Sequence, residues 1–262
     1  ELGVTHVQVL PVYDFATQHY NWGYDPYNFN IPEEQYSETP LDYENRVKEF
    51  KNMVNEFHKR GLRVVMDVVY NHTFGNEMFQ GITMKYFDGL NLSGCGNSVD
   101  SGKPMVSRFI QDSLEFWVSE YKIDGFRFDL VGIFYYNEYK KWGEYLNTAF
   151  PDRNIIIYGE PWNGYASDPN EAQKMRMGKC PATASGRVGV FNGKYREDIK
   201  GNNDGTTRGY MFNGTTSWTG AIAVGMRGSI MAVKSTNPLA NDWDSMFAYD
   251  PEQSINYISA HD

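Results

Sequence analysis

Four short apolar runs, each ending on ionisable residues, constrain the fold of this chain more than any other feature. They are Arg63-Val-Val-Met-Asp67-Val-Val-Tyr-Asn71-His72, Ile123-Asp-Gly-Phe-Arg127-Phe-Asp129, Ile155-Ile-Ile-Tyr158-Gly-Glu160-Pro-Trp162 and Ile255-Asn-Tyr-Ile-Ser-Ala-His261-Asp262. Runs of this length, rich in Val, Ile, Phe and Tyr, read as buried strands. Asp, Glu, Arg and His are seldom fully buried without a partner. A strand that finishes on them therefore delivers them to a rim or cleft, and four such strands in order describe one site.

The segments between the runs predict helices. Residues 43–60 place Val47, Phe50, Val54 and Phe57 on one face, with Gly61 where a C-cap glycine is expected. Residues 104–121 turn Val106, Phe109, Ile110, Leu114, Trp117 and Val118 inward, with Pro104 in the first turn. An aromatic helix is expected near 135–146. A strand over 5–12 precedes a long polar and aromatic loop to about Pro40, and Val188 to Phe191 reads as a further strand. Elsewhere between 163 and 241 the pattern dissolves into Gly, Asn, Thr and Ser.

This strand–helix alternation belongs to a parallel α/β protein. An open doubly wound sheet is the alternative, but the chain has no Gly-rich first turn to hold a phosphate. Functional groups at the C-terminal ends of successive strands fit a (β/α)8 TIM barrel, here incomplete, with strands two to seven present and the first and last missing. No repeat, low-complexity tract or linker divides the chain, so residues 1–262 read as one partial catalytic domain.

Composition narrows the function. The formal charge of -9, with acids and bases interspersed, argues against nucleic acid as a partner. Aromatic residues make up 16% of the chain, many in polar segments, which suits stacking on sugar rings as well as a plain aromatic core. No stretch is long enough to span a membrane, and no leader peptide is recognisable. The chain opens mid-pattern on Glu1 without an initiator Met, so its location is not readable. Cys95 and Cys180 are too few for a disulfide framework and lack metal-ligand spacing, although one bridge between them stays open. A structural calcium could sit on a loop such as Asn202-Asn-Asp204, but no motif supports it and no cofactor is required.

Glycoside hydrolysis needs two carboxyl groups flanking the scissile bond, one ionised and one protonated. Arg127, two residues before Asp129, points to the same side of its strand, and a cation beside a carboxylate favours ionisation. Glu160 stands beside Pro161 and Trp162, an apolar setting expected to favour the protonated acid. Asp262 would bring a third carboxylate from a distant strand, and His72 and His261 could donate hydrogen bonds to hydroxyls. A core acid satisfied by neighbouring backbone is the lesser alternative for Asp67. His6, His19 and His58 read as ordinary histidines, and Tyr20 and Trp22 as loop packing.

The same four runs resemble the ordered sequence regions of the α-amylase family, glycoside hydrolase family thirteen. Tyr20-Asn-Trp-Gly-Tyr24-Asp25-Pro26 resembles the signature heptapeptide of type I pullulanases, and Gly94-Cys-Gly-Asn97 and Tyr158-Gly-Glu-Pro-Trp162 look similar to that group. The resemblance implies an α-glucan debranching hydrolase of retaining mechanism, with an α-1,4-acting amylase, an isoamylase or a non-catalytic glucan-binding piece as alternatives. It implies Asp129 as nucleophile, Glu160 as acid/base and Asp262 as transition-state stabiliser. Arg127 would orient Asp129, and Asp67 and Asn71 would support the site. Tyr24, Asp25, Asn71, His72, Trp162 and His261 would bind sugar. It also places the first and eighth strands outside these residues, so little activity is expected of this stretch alone.

Overall fold

The computed structural model describes residues 2–17, 22–213, 219–231 and 246–261. Within them the strands in chain order are β1 (His6–Val9), β2 (Tyr13–Phe15), β3 (Pro26–Pro32), β4 (Arg63–Val68), β5 (Gly125–Phe128), β6 (Ile156–Gly159), β7 (Val188–Phe191) and β8 (Ser254–Ile255). Six of them form a sheet ordered β1-β4-β5-β6-β7-β8, every neighbouring pair parallel. The sheet curls into a half-barrel, as an incomplete TIM barrel does. β2 and β3 form a separate antiparallel hairpin.

The helices are α1 (Tyr43–Lys59), α2 (Glu77–Gln80), α3 (Pro104–Tyr121), α4 (Tyr136–Ala149), α5 (Gly193–Lys200), α6 (Tyr210–Asn213) and α7 (Thr219–Met226). α1 begins where the Asp42 side chain accepts hydrogen bonds from the backbone of Glu44 and Asn45, satisfying donors that have no partner inside the helix. It ends before Gly61, whose φ of +74° suits a residue without a Cβ. α3 starts on Pro104 and buries Val106, Ile110, Leu114, Trp117 and Val118. Phe109, like Val47 and Phe57 on α1, is only partly buried at the edge of the core.

Strand period decides which side chains meet which layer. Val64, Met66, Val68, Phe126, Phe128, Ile157, Val188 and Val190 pack against the helices in one hydrophobic core. The alternate positions, including Gln8, Asp67, Arg127 and Tyr158, face the barrel interior, where the Tyr158 hydroxyl donates to Gln8 Oε1 at 2.5 Å.

Four departures from the sequence reading have physical causes. The loop expected over 13–40 contains the β2/β3 hairpin. β3 starts and ends on proline and buries Pro26, Phe29 and Pro32, so its pattern does not alternate. The first strand is His6–Val9 rather than 5–12. In the polar stretch after Asn163, α5 forms because the Asn192 side chain accepts from the Tyr195 amide at 3.0 Å, a cap rather than an apolar stripe. Finally, the last run is a strand only at Ser254–Ile255, so His261 lies on irregular chain beyond it.

Candidate active site

Parallel register sets the site's floor. Asp67 pairs with Arg127, and Arg127 with Tyr158, so three interior side chains from adjacent strands stand at one level. One step beyond, Asp129 follows β5 and Glu160 follows β6, and Glu160 N–H donates to the Phe128 carbonyl at 3.1 Å. The site thus occupies the C-terminal ends of the strands, where (β/α)8 enzymes carry their chemistry.

Arg127 is the hub. Its guanidinium is fully buried and meets three carboxylates. Nη1 donates to Asp67 Oδ1 at 2.9 Å and Oδ2 at 3.0 Å, and to Asp129 Oδ1 at 3.2 Å, while Nη2 donates to Glu160 Oε1. The sequence reading paired Arg127 with Asp129. The structure adds Glu160, and makes Asp67 rather than Asp129 the nearer partner of Nη1. Asp67 is therefore a buried counter-ion rather than a core acid satisfied by backbone.

One guanidinium cannot neutralise three carboxylates. Burial pushes the Asp67 carboxyl up to about 7; Arg127 pulls against that shift and the charge of Asp129 adds to it. Burial would lower Arg127, but Asp67, Glu160 and Asp129 together hold its guanidinium above the usual range. A site with surplus negative charge keeps one carboxyl group poised to hold a proton.

Asn71, three residues past β4, donates from Nδ2 to Asp129 Oδ2 at 2.7 Å and to the Asp129 carbonyl at 3.0 Å. Its Oδ1 lies 2.5 Å from His72 Nδ1. The His72 ring is buried and its Nε2 stands 4.0 Å from Asp25 Oδ1. Burial alone would lower this imidazole, but the nearby Asp25 carboxylate, Cys95 and the charge of Asp129 raise it to about 9. These negative neighbours favour the protonated ring.

Tyr24 closes the opposite side. Its hydroxyl donates to Asp67 Oδ2 at 2.7 Å and lies 2.8 Å from His261 Nε2. The two rings are nearly parallel, with centroids 5.3 Å apart. Burial and the neighbouring Asp67 charge raise the phenol well above its ordinary value. Trp22 meets the His261 ring edge-on at 6.3 Å.

Glu160 is buried but does not sit in the apolar setting the sequence suggested. One oxygen meets Arg127, and Oε2 accepts the Leu130 N–H at 3.1 Å. Trp162 is half-buried on the same turn, with the Arg196 guanidinium 6.0 Å over its ring.

The structure thus brings Asp67, Asn71, Arg127, Asp129 and Glu160 into one hydrogen-bonded cluster. Tyr24 and His261 join it through Asp67, His72 joins through Asn71, and Asp25 lies beside His72. Asp262, His19 and Tyr20 lie outside the described residues. The sequence reading missed Leu130, which acts through its backbone and so has no side-chain signature. Cys95 is exposed and Cys180 buried, both free thiols, which closes the option of a bridge. His58 has a structural partner outside the site, its Nε2 lying 2.6 Å from Asp124 Oδ2. Asn202 spends its side chain on Thr206 and Thr207 within its own turn. Among the described residues, no group of three or more His, Cys, Asp or Glu side chains is arranged to hold a metal ion. No helix there is long and apolar enough to cross a membrane.

Carboxylates gathered on a buried arginine at the C-terminal ends of parallel strands fit the α-amylase resemblance of the sequence motifs, and comparison with known proteins agrees. The model of the α-amylase catalytic domain matches residues 1–88. The chain is 36% identical over 280 residues to a pullulanase of Bacillus subtilis, spanning all of this chain and 37% of that protein. It is 30% identical to the chloroplastic isoamylase 3 of rice, covering all of this chain and 34% of that one. A crystal structure of the Paenibacillus barengoltzii pullulanase, in complex with maltohexaose and α-cyclodextrin, superposes with a TM-score of 0.88 at 33% identity. That match covers the whole chain and 41% of the other. The chain therefore spans well under half the length of these relatives. It belongs to the α-amylase family, as a pullulanase-like part of the catalytic barrel.

Proposed function

We propose that these residues serve a glycoside hydrolase that cleaves α-1,6-glucosidic branch links, as in pullulan, amylopectin or limit dextrins, with retention of configuration. The observation that carries this reading is the Arg127 guanidinium, which contacts Asp129 and Glu160 from the ends of adjacent strands. Two carboxyl groups drawn together on one cation suit the short separation of a retaining mechanism, about 5–5.5 Å.

Asp129 attacks the anomeric carbon while Glu160 gives its proton to the departing glycosidic oxygen. A covalent glycosyl intermediate forms on Asp129. Glu160 then takes a proton from water, which displaces Asp129 and restores the configuration. Arg127 and Asn71 hold Asp129 with its attacking oxygen oriented. His72 and His261 donate to sugar hydroxyls beside Asp25, and Tyr24 stacks under the ring. Trp162 lines a neighbouring subsite. Asp262 stabilises the positive charge that develops on the sugar. The chemistry calls for no metal or cofactor.

The relatives named pullulanase favour α-1,6 specificity, and the rice isoamylase makes a branch-cutting isoamylase the second reading. Product analysis separates them. The protein carrying the complete barrel is expected to release maltotriose from pullulan, with the new reducing end in the α configuration. Release of products cut only at α-1,4 links, or a β-anomeric product, would overturn the proposal.

A further inference from the structure

Leu130, immediately after Asp129, adopts φ 43° and ψ 45°, a left-handed conformation that a branched L-residue enters at a cost. Such outliers persist where the surroundings over-determine them, and they gather at working sites. Here the surroundings are the end of β6. The Leu130 N–H donates to Glu160 Oε2 at 3.1 Å, and the Gly132 N–H donates to the Glu160 carbonyl at 2.8 Å. Two glycines let the turn seat this closely. A Cβ on Gly132 would lie 1.8 Å from the Trp162 carbonyl oxygen, and one on Gly159 would lie 2.7 Å from the Phe128 carbonyl oxygen. Arg176 fastens the turn from behind by donating to the Gly132 carbonyl.

We propose that the 130–132 turn is a positioning element for the acid/base carboxyl of Glu160, with Leu130 the residue that sets its proton affinity. The left-handed bend aims the Leu130 N–H at one carboxyl oxygen, while Arg127 meets the other. A hydrogen bond donated to a carboxylate favours the ionised form, so this N–H makes Glu160 a stronger acid toward the glycosidic oxygen. Charged groups near Glu160 include Arg127 in contact, Asp67 and Asp129 on the same guanidinium, His72 beyond Asn71, and Arg176 behind the turn. His261 stands across the site on Tyr24. None of these belongs to the turn, so altering Leu130 changes one donor and leaves the charges in place.

The inference rests on Glu160 being the acid/base for its catalytic meaning, but its test does not depend on turnover. Leu130→Gly keeps the left-handed bend without a side-chain penalty, whereas the β-branched Leu130→Ile opposes it. The Glu160 carboxyl is followed by 13C NMR titration of glutamate-labelled protein. Its midpoint is expected to rise by about one pH unit in Leu130→Ile, given the strength of a hydrogen bond to a charged group, and to stay put in Leu130→Gly. In the unaltered protein, the Leu130 amide proton shift should titrate with the same midpoint as Glu160 and lose that step in Glu160→Gln. This second measurement needs no change at Leu130. An unmoved midpoint in Leu130→Ile, an equal shift in Leu130→Gly, or a Leu130 amide blind to Glu160 would each overturn the proposal. With the complete barrel, the alkaline limb on polymeric glucan should rise with the midpoint in Leu130→Ile. An activated aryl glycoside, whose leaving group needs no proton, should not follow. Absence of glucan turnover would count against the proposed function alone, because the titrations stand without it.

Discussion

The two ends of the parallel sheet carry opposite electrostatic arrangements. At the C-terminal end one buried arginine, Arg127, serves three carboxylates. At the N-terminal end one carboxylate, Asp124, serves three basic side chains. His58 Nε2 lies 2.6 Å away, Arg153 Nη2 3.0 Å and Arg63 Nε 3.6 Å. Asp124 Oδ2 also accepts the Val64 N–H at 2.9 Å, so its oxygens are saturated. The surplus arginine donors there turn to backbone carbonyls. Arg153 bonds those of Lys122 and Ile123, and Arg63 those of Arg153 and Asn154. That end is a clamp joining α1 and three strand starts, with its charges spent on structure. The other end keeps negative charge that the Arg127 guanidinium alone cannot neutralise. Surplus charge is a cost to the fold, and such costs are borne where chemistry uses them.

The largest break in this comparison should come from Arg127→Ala. Removing the cation strands three carboxylates, so stability should fall by about 3–5 kcal/mol in urea unfolding. Glucan turnover in the complete barrel should drop below about a thousandth. Arg127→Lys should restore part of the stability but little turnover, because a point charge cannot divide two fork nitrogens among three acids. Near-full activity in the lysine variant would show that the fork geometry is dispensable.

Asp124→Asn tests the other end. Its basic partners remain about one-third exposed and can turn to water, so the loss should be smaller, about 1–3 kcal/mol. Binding of maltotriose, measured by calorimetry, should be unchanged. A matching loss of binding would mean that the two ends are coupled.

Acidity sharpens the contrast, because the two ends should respond to pH with opposite sign. The Asp67 carboxyl is raised to about 7 by burial, so its contribution is full below its ordinary value of 3.8 and is lost as pH rises through about 7. Burial also pushes Asp124 upward, but the Val64 N–H, His58 and Arg153 outweigh it and leave it lowered. Its contribution is present above 3.8 and is lost as pH falls through its depressed folded value. Unfolding midpoints against pH should therefore flatten in the neutral range for Asp67→Asn and in the acid range for Asp124→Asn. Identical profiles for the two variants would remove the distinction.

The smallest effect is expected from Tyr24→Phe, which deletes one hydroxyl between Asp67 and His261 while keeping the ring. Stability should change by no more than about 1.5 kcal/mol. The Asp67 midpoint should rise further in 13C titration, since the phenol's hydrogen bond favours the ionised form. A fall would show that the hydroxyl does not donate to Asp67.

Much of this architecture is legible in the residues themselves. The interiors of β4, β5 and β6 and the buried faces of α1 and α3 follow from local chemistry. Each rests on apolar period, a cap or a proline within one segment, and needs no knowledge of distant parts of the chain. The hairpin of β2 and β3 is different. Its two strands pair across an intervening loop, and β3 is held from α3 by Trp117, whose Nε1 donates to the Phe29 carbonyl at 2.9 Å. No local periodicity announces such a contact.

The site divides in the same way. Its ionisable residues stand out in sequence because strands that end on charge are unusual, and the motifs that place Asp129, Glu160 and His72 on one rim are contiguous. How those groups share protons is not contiguous. Parallel register set Asp67 level with Arg127, the β5–β6 pairing brought Glu160 to the same guanidinium, and the bend at Leu130 supplied a donor with no side-chain signature. Sequence by itself determined which chemical groups reach the rim, because strand period and apolar runs are local properties. Only tertiary structure decided their charge states, because electrostatic energy depends on distances between segments far apart in the chain and on the water that packing excludes.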